Sequence, residues 1–172
     1  MSLQKRTEVS MKSDQILIDA AISSWQQVVT RVGALCLNLN EEQLLVEVAP
    51  GKNRLLYLWG HLTAVHDGMC SVLRTGERLH PELDAIFITQ PDRSKPLPTS
   101  AEIARCWEAI HTALLSAFAT LGPHEWLERH GNVSAEEFEQ NPTRNRLAVL
   151  LSRTNHASYH LGQMMLAKFK TP

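Results

Sequence analysis

Apolar residues recur at spacings of three and four along four long segments of the chain, which is the periodicity of helices that bury one face. The alternation of apolar and polar residues that is typical of strands is nearly absent. The pattern therefore predicts four long helices: from Ser13 to about Leu37, from about Arg54 to Arg74, from near Thr99 to Gly122, and from Asn141–Thr143 to near Phe169.

Residues at the predicted helix ends support these limits. Ser13 is a suitable N-cap, and Thr99 with Glu102 has the capping-box sequence, in which each side chain satisfies a backbone N–H of the other residue. Pro142 suits the first turn of the fourth helix, where its missing N–H is not needed. Shorter helical pieces are predicted at Asn40–Val48, with Asn40 as its cap, and at Pro81–Ile86, Glu125–His130 and Ser134–Gln140.

The connection between the second and third predicted helices is long and rich in proline. It spans about 25 residues, enough for the chain to return along a bundle before the next helix starts. We therefore expect an all-α fold, a four-helix bundle with a long crossover between helices two and three. Residues 1–12 are expected to form a flexible N-terminal extension, and residues 13–172 a single helical domain.

Charge and composition narrow the function classes. Seventeen Lys and Arg residues and 18 Asp and Glu residues leave a formal net charge of −1, which argues against a nucleic-acid partner. No apolar run approaches the roughly 18 residues that cross a bilayer, so no membrane partner is expected. The three cysteines are widely spaced and form no CxxC pair, which favours a reducing compartment and hence the cytoplasm.

The most informative chemistry is a histidine pair in the fourth predicted helix. His156 and His160 are four residues apart, so on a helix they are separated by about 40° around the axis and roughly 6 Å along it, and their imidazoles can converge on one metal ion. The Glu of the HExxH metalloprotease pattern is missing. Few charged residues surround the pair, so the two side chains are either metal ligands or hydrogen-bonded core residues.

The second predicted helix offers a matching feature, since His61 and His66 lie in similar apolar sequence. Helical bundles hold metal sites in their cores with side chains from facing helices, and three histidines plus water leave an open coordination position. Helical geometry alone does not choose between the two, because each lies in an apolar row of the helix.

The segments LYLWGHLTAVHDGM and NHASYHLGQMM together resemble the DinB/YfiT-like superfamily of metal-binding four-helix bundles. Gly60-His61-Leu62 is similar to the family's pattern on the second helix. His156, His160, Gly162 and Gln163 are similar to its pattern on the last helix. The resemblance implies that residues 13–172 form one DinB-like domain and that His61, His156 and His160 form the metal triad.

Residues near this implied triad have candidate roles with alternatives. His66 would either orient a metal-binding side chain through a hydrogen bond or face the substrate. The alternative is a core histidine that is hydrogen-bonded to a backbone carbonyl. Gln163 would donate to a metal-bound water or to substrate, or else be a helix-packing amide. Asp67 would orient a ligand imidazole, or else cap a helix or be solvated. Three histidines in polar sequence are predicted to be solvated: His111, His124 and His130.

The implied function follows from the metal. Imidazole ligands suit Zn²⁺, Ni²⁺, Fe²⁺ or Mn²⁺ and do not select among them. The resemblance implies a metal-dependent enzyme that acts on a small molecule, either a transferase that uses a low-molecular-weight thiol or a hydrolase. No residue is indicated as catalytic in itself. The alternatives are a non-catalytic metal- or ligand-binding bundle in stress response, and a bundle without metal. A homodimer is expected, since two-fold dimers are the commonest oligomers.

Overall fold

The computed structural model describes the backbone of residues 3–168 and the side chains of residues 12–167. No β-strand is present in this part of the chain, which confirms the expected all-α fold. A short 3₁₀ turn, Pro81–Leu83, precedes α4. The helices are α1 (Leu3–Leu37), α2 (Glu41–Leu44), α3 (Leu55–Val72), α4 (Asp84–Phe87), α5 (Ser100–Phe118), α6 (Pro123–Trp126), α7 (Ala135–Gln140) and α8 (Arg146–Lys168).

The four long helices α1, α3, α5 and α8 enclose one hydrophobic core. α1 packs mainly against α8, and α3 packs against both α5 and α8. α3 is the most buried of them, because it is apolar on two neighbouring rows and meets partners on two sides. Tryptophans fill the largest buried volumes, with Trp25, Trp59 and Trp126 fully enclosed. None of the described helices is long and apolar enough to cross a membrane.

Several predicted helix starts are confirmed by their caps. The Thr99 side chain accepts a hydrogen bond from the backbone N–H of Glu102, and the Glu102 carboxylate accepts one from the N–H of Thr99. Asn40 and Ser134 form the same reciprocal capping boxes at the starts of α2 and α7. Such caps satisfy N–H groups that have no partner within the helix, and they can be predicted because they are local in sequence.

Two predicted starts are wrong. α8 begins at Arg146, because the Asn145 side chain accepts from the N–H of Ala148 at 2.9 Å and so acts as the N-cap, while Pro142 lies in the preceding turn. α1 begins at Leu3, since no Gly or Pro interrupts the residues before Ser13, which lies inside the helix. The flexibility of residues 1–12 stays a prediction, and the predicted end near Phe169 lies outside the described residues.

Ionic contacts hold the crossover between α3 and α5 against α3. Asp67 is fully buried and accepts hydrogen bonds from Arg78 Nε at 2.9 Å and from the backbone N–H groups of Leu79 and His80. Arg78 also forms two hydrogen bonds to Asp84. Asp67 therefore neither orients a ligand imidazole, nor caps a helix, nor faces solvent, because the returning chain supplies its partners and covers it.

Candidate metal centre

Three histidines from two helices meet at one point. α3 contributes His61, and one turn of α8 contributes His156 and His160, whose spacing of four places both rings on one side of the helix. His156 Nε2 lies 3.4 Å from His61 Nε2 and 3.0 Å from His160 Nε2. One ring nitrogen from each of the three lies within 4.8 Å of the others, close enough to hold one metal ion.

Hydrogen bonds at the outer nitrogens fix the protonation of two of these rings. The carbonyl oxygen of Phe87 lies 2.9 Å from His61 Nδ1 and can only accept, so Nδ1 carries a proton and, in the neutral ring, Nε2 presents a lone pair. His160 Nδ1 donates to Gln163 Oε1 at 2.8 Å, which leaves the same lone pair on His160 Nε2. Two lone pairs thus face one point beside a third imidazole, an arrangement that fits a bound cation.

Burial keeps the imidazoles in the form that binds metal. Burial, followed by the nearby His160 and His61, lowers the pKa of His156 to about 4. Burial also lowers the pKa of His160, although the hydrogen bond to Gln163 opposes the shift. Both rings are therefore neutral at pH 7, as metal ligation requires.

A close helix contact places the acceptor of His61. A Cβ built on Gly60 would lie 2.2 Å from atoms of the Phe87 ring, far inside any normal contact. The absence of a side chain at Gly60 lets Phe87 pack directly on α3, and its carbonyl oxygen then reaches His61. The Tyr57 hydroxyl fixes the same part of the crossover by donating to the Gln90 carbonyl at 2.6 Å.

A cleft of about 450 Å³, a volume within the range of small-molecule sites, opens beside His160, the one histidine of the three that lines it. His160 and Gln163 form part of its wall, together with Leu58 of α3. Tyr159, with 63% of its surface exposed, and Lys52 also line the cleft. The Tyr159 hydroxyl accepts a hydrogen bond from Gln163 Nε2 at 3.0 Å. The Gln163 amide therefore links the His160 ring to the Tyr159 hydroxyl.

His66 lies elsewhere, in the core between the long helices. It is fully buried, and its Nδ1 lies 2.7 Å from Nε2 of His111 on α5. It bonds to this side chain rather than to a backbone carbonyl. It is not among the residues that line the cleft, and its interpretation as a substrate-facing or ligand-orienting residue stays a prediction.

The prediction that His111 is solvated is wrong, because only 7% of its surface is exposed. The prediction of a solvated side chain was based on the polar residues next to His111 in the sequence. The signal that could have revealed its burial is the helical spacing, since His111 follows Trp107 by one turn and adjoins Ile110 on the apolar stripe of α5. The His124 side chain is exposed as predicted, and His130 is half-buried.

The chain matches a known protein family. The sequence model of the DinB superfamily matches residues 24–164, a span that covers most of the chain and includes all three clustered histidines. No curated protein matches the chain.

Proposed function

Because the chain belongs to the DinB superfamily and brings three imidazoles together, we propose that it is an enzyme that binds a divalent metal ion and acts on a small molecule. The proposed ligands are His61, His156 and His160. The observation that carries the proposal is the pair of Nε2 lone pairs, on His61 and His160, that face one point because both Nδ1 protons are donated outward.

The ligand set supports catalysis rather than a closed structural site. Among the described residues, no fourth His, Cys, Asp or Glu joins the three histidines, so a bound ion would retain a position for water or substrate. When bound, such an ion supplies Lewis-acid chemistry, which lowers the pKa of a thiol or a water and so generates a nucleophile at neutral pH.

The surrounding residues would orient the ligands and admit the substrate. The Phe87 carbonyl and the Gln163 amide hold the rings of His61 and His160, as hydrogen-bond partners of metal ligands do. The adjoining cleft provides an apolar wall at Leu58 and a cation at Lys52. We propose two candidate reactions there: transfer of a low-molecular-weight thiol to an electrophile, and hydrolysis of a small molecule.

Metal content tests the first half of the proposal. We expect freshly purified protein, or protein stripped with chelator and reloaded with Zn²⁺, Ni²⁺, Fe²⁺ or Mn²⁺, to retain about one ion per chain by elemental analysis. His156→Ala should lose it, whereas His124→Ala, which removes an exposed histidine outside the cluster, should retain it. Absence of metal from the wild type after every loading would refute the site.

Turnover tests the second half. The metal-loaded wild type should consume thiol and electrophile together, or hydrolyse a substrate, faster than His160→Ala, while His124→Ala should match the wild type. Equal rates in wild type and His160→Ala would exclude this reaction at the triad. A metal-loaded protein without turnover in any such screen would favour the non-catalytic alternative.

A further inference from the structure

Two buried histidines pair in the core between α3 and α5. His111 on α5 and His66 on α3 are both enclosed, with ring centroids 5.0 Å apart. Trp25 and Trp107 pack against both imidazoles. Burial lowers the pKa of His111 to about 4 and that of His66 well below its ordinary value, so both rings are neutral at pH 7.

The Trp107 carbonyl determines which ring nitrogens of His111 and His66 carry protons. His111 Nδ1 lies 2.6 Å from the Trp107 carbonyl oxygen, which only accepts, so the single proton of His111 is on Nδ1. His111 Nε2 is then a lone pair, and it accepts from His66 Nδ1 at 2.7 Å. The single proton of His66 is thereby also on Nδ1, and its Nε2 is left as a second lone pair.

That Nε2 of His66 is buried and has no hydrogen-bond partner. Leaving a buried polar atom unpaired costs about 1–3 kcal/mol, which makes such atoms rare in folded proteins. Among the described residues, six buried side-chain nitrogens lack a hydrogen-bond partner, and two of them belong to imidazoles: Nε2 of His66 and Nδ1 of His156. If His156 ligates a metal through Nε2, its only proton is on that Nδ1.

The two unpartnered atoms are complementary. His66 offers an acceptor, and His156 with a metal on its Nε2 would offer a donor; the two residues belong to α3 and α8, which pack against each other. His156 Nε2 lies 3.4 Å from Nε2 of His61, and His66 follows His61 by five residues, about 7.5 Å along the same helix. Neither atom has a direct partner, so the gap between them exceeds one hydrogen bond, and a water with two polar partners could bridge it.

We propose that His66 is a positioning residue for the metal ligand His156, acting through one buried water that accepts from His156 Nδ1–H and donates to His66 Nε2. This inference rests on the proposed metal site. The connection continues through His111 to the Trp107 carbonyl, so the core of the bundle fixes the tautomer and the orientation of His156. The third ligand then has an outer partner, as His61 and His160 do.

Metal affinity provides the first test. Loss of an outer partner typically weakens metal binding by about 10-fold to 100-fold, and we expect this loss of Zn²⁺ affinity in His66→Leu, measured by competition with a chelator of known affinity. The matched control is Thr154→Val, which alters a buried residue of α8 whose hydroxyl bonds only the Leu150 carbonyl. This control should bind Zn²⁺ as tightly as the wild type.

The imidazole tautomers provide a test that requires no substitution. In zinc-loaded wild type, ¹⁵N spectra should show His66, His111 and His156 all protonated at Nδ1 and unprotonated at Nε2. In His66→Leu, the His156 signals should broaden or shift, whereas those of His61 should not. A purely structural role for His66 would lower stability but leave the signals of His156 in place.

The role of His66 can fail in these experiments without failure of the metal site. If the wild type binds no Zn²⁺, the metal site and the role of His66 both fail. If zinc binds but His66→Leu has wild-type affinity, or if His66 is protonated at Nε2, only the positioning role is overturned. His66→Gln, which retains an acceptor, should recover part of the affinity and serves if leucine does not fold.

Discussion

For several histidines, the direction in which Nε2 offers its lone pair depends on the group that accepts the Nδ1 proton. The Phe87 carbonyl and the Gln163 amide oxygen accept from His61 and His160, which directs both Nε2 atoms toward the triad. A carbonyl within its own helix accepts from His111, which directs Nε2 of that residue toward His66. The same side chain therefore serves as a candidate ligand at one place and as a core hydrogen-bonding group at another.

Burial of His111 should make stability depend on pH. Its pKa is about 4 in the fold and about 6.5 when unfolded, so between these values the unfolded chain binds more protons. The contribution of neutral His111 to the free energy of unfolding is fully present above pH 6.5 and is lost as the pH falls toward 4. Between pH 7 and pH 5, we expect His111 alone to lower the free energy of unfolding by about 2 kcal/mol.

Urea titrations of metal-free protein at the two pH values measure this dependence. In His111→Leu the decrease between pH 7 and pH 5 should be smaller than in the wild type, whereas His124→Ala should follow the wild type. An identical decrease in His111→Leu would show that the residue is accessible to solvent in the fold.

The candidate site was only partly predictable from single residues. The spacing of His156 and His160 indicated a convergent pair, because that geometry is local to one helix. The choice of His61 over His66 came from the resemblance to the family, since both lie in apolar rows and only the packing of α3 against α8 separates them. The pairing of His66 with His111 joins two helices, and no local pattern encodes it.

Among the secondary-structure elements, α3 illustrates how one helix can tolerate a side chain at one glycine and exclude it at another. Gly60 has the Phe87 ring against it, whereas a Cβ on Gly68 would meet open space. Both lie in regular helix, so conformational freedom does not explain Gly60. Its role is the close approach of the crossover, which positions the acceptor of His61.

Alanine substitutions at these two glycines should have opposite effects. Gly60→Ala forces Phe87 away and should destabilise the fold by about 1–3 kcal/mol in urea titration, with weaker Zn²⁺ binding because the His61 acceptor moves. Gly68→Ala, the matched control, should stabilise the fold by about 0.5–1 kcal/mol and leave metal binding unchanged. Equal metal affinity in the two variants would contradict the link between Gly60 and the triad.

Helix starts were predictable where one capping residue dominated and not where two competed. Glu102 follows Thr99 by three residues and completes a capping box with it, so this cap was predicted. Before α8, Pro142 and Asn145 are both plausible, and the Asn145 cap prevails because its side chain reaches the N–H of Ala148. The crossover was predicted as a connection, but its attachment through the buried Asp67 depends on contacts with α3 that only the folded chain supplies.

At the scale of the whole molecule, the triad joins distant parts of the chain. His61 and His156 are 95 positions apart, on helices that pack side by side. An ion held by both would bind the folded state and not the unfolded state, and would therefore stabilise the entire bundle.

Thermal unfolding should report this stabilisation. At a free Zn²⁺ concentration 100 times the dissociation constant, the gain is about 2.7 kcal/mol. For a domain of this length we expect that gain to raise Tm by roughly 5–10 °C. His156→Ala should unfold at the same temperature with and without Zn²⁺. A rise in that variant equal to the wild-type rise would place the stabilising ion elsewhere.

The crossover also separates the proposed ligands. Arg93, Ser94 and Lys95 are exposed in it, between the helix that bears His61 and the helix that bears the other two histidines. A protease that cut after Arg93 would leave one ligand on the amino-terminal fragment and two on the carboxy-terminal fragment. The bound ion would then form a reversible crosslink between two separate polypeptides, and a chelator would hasten their dissociation.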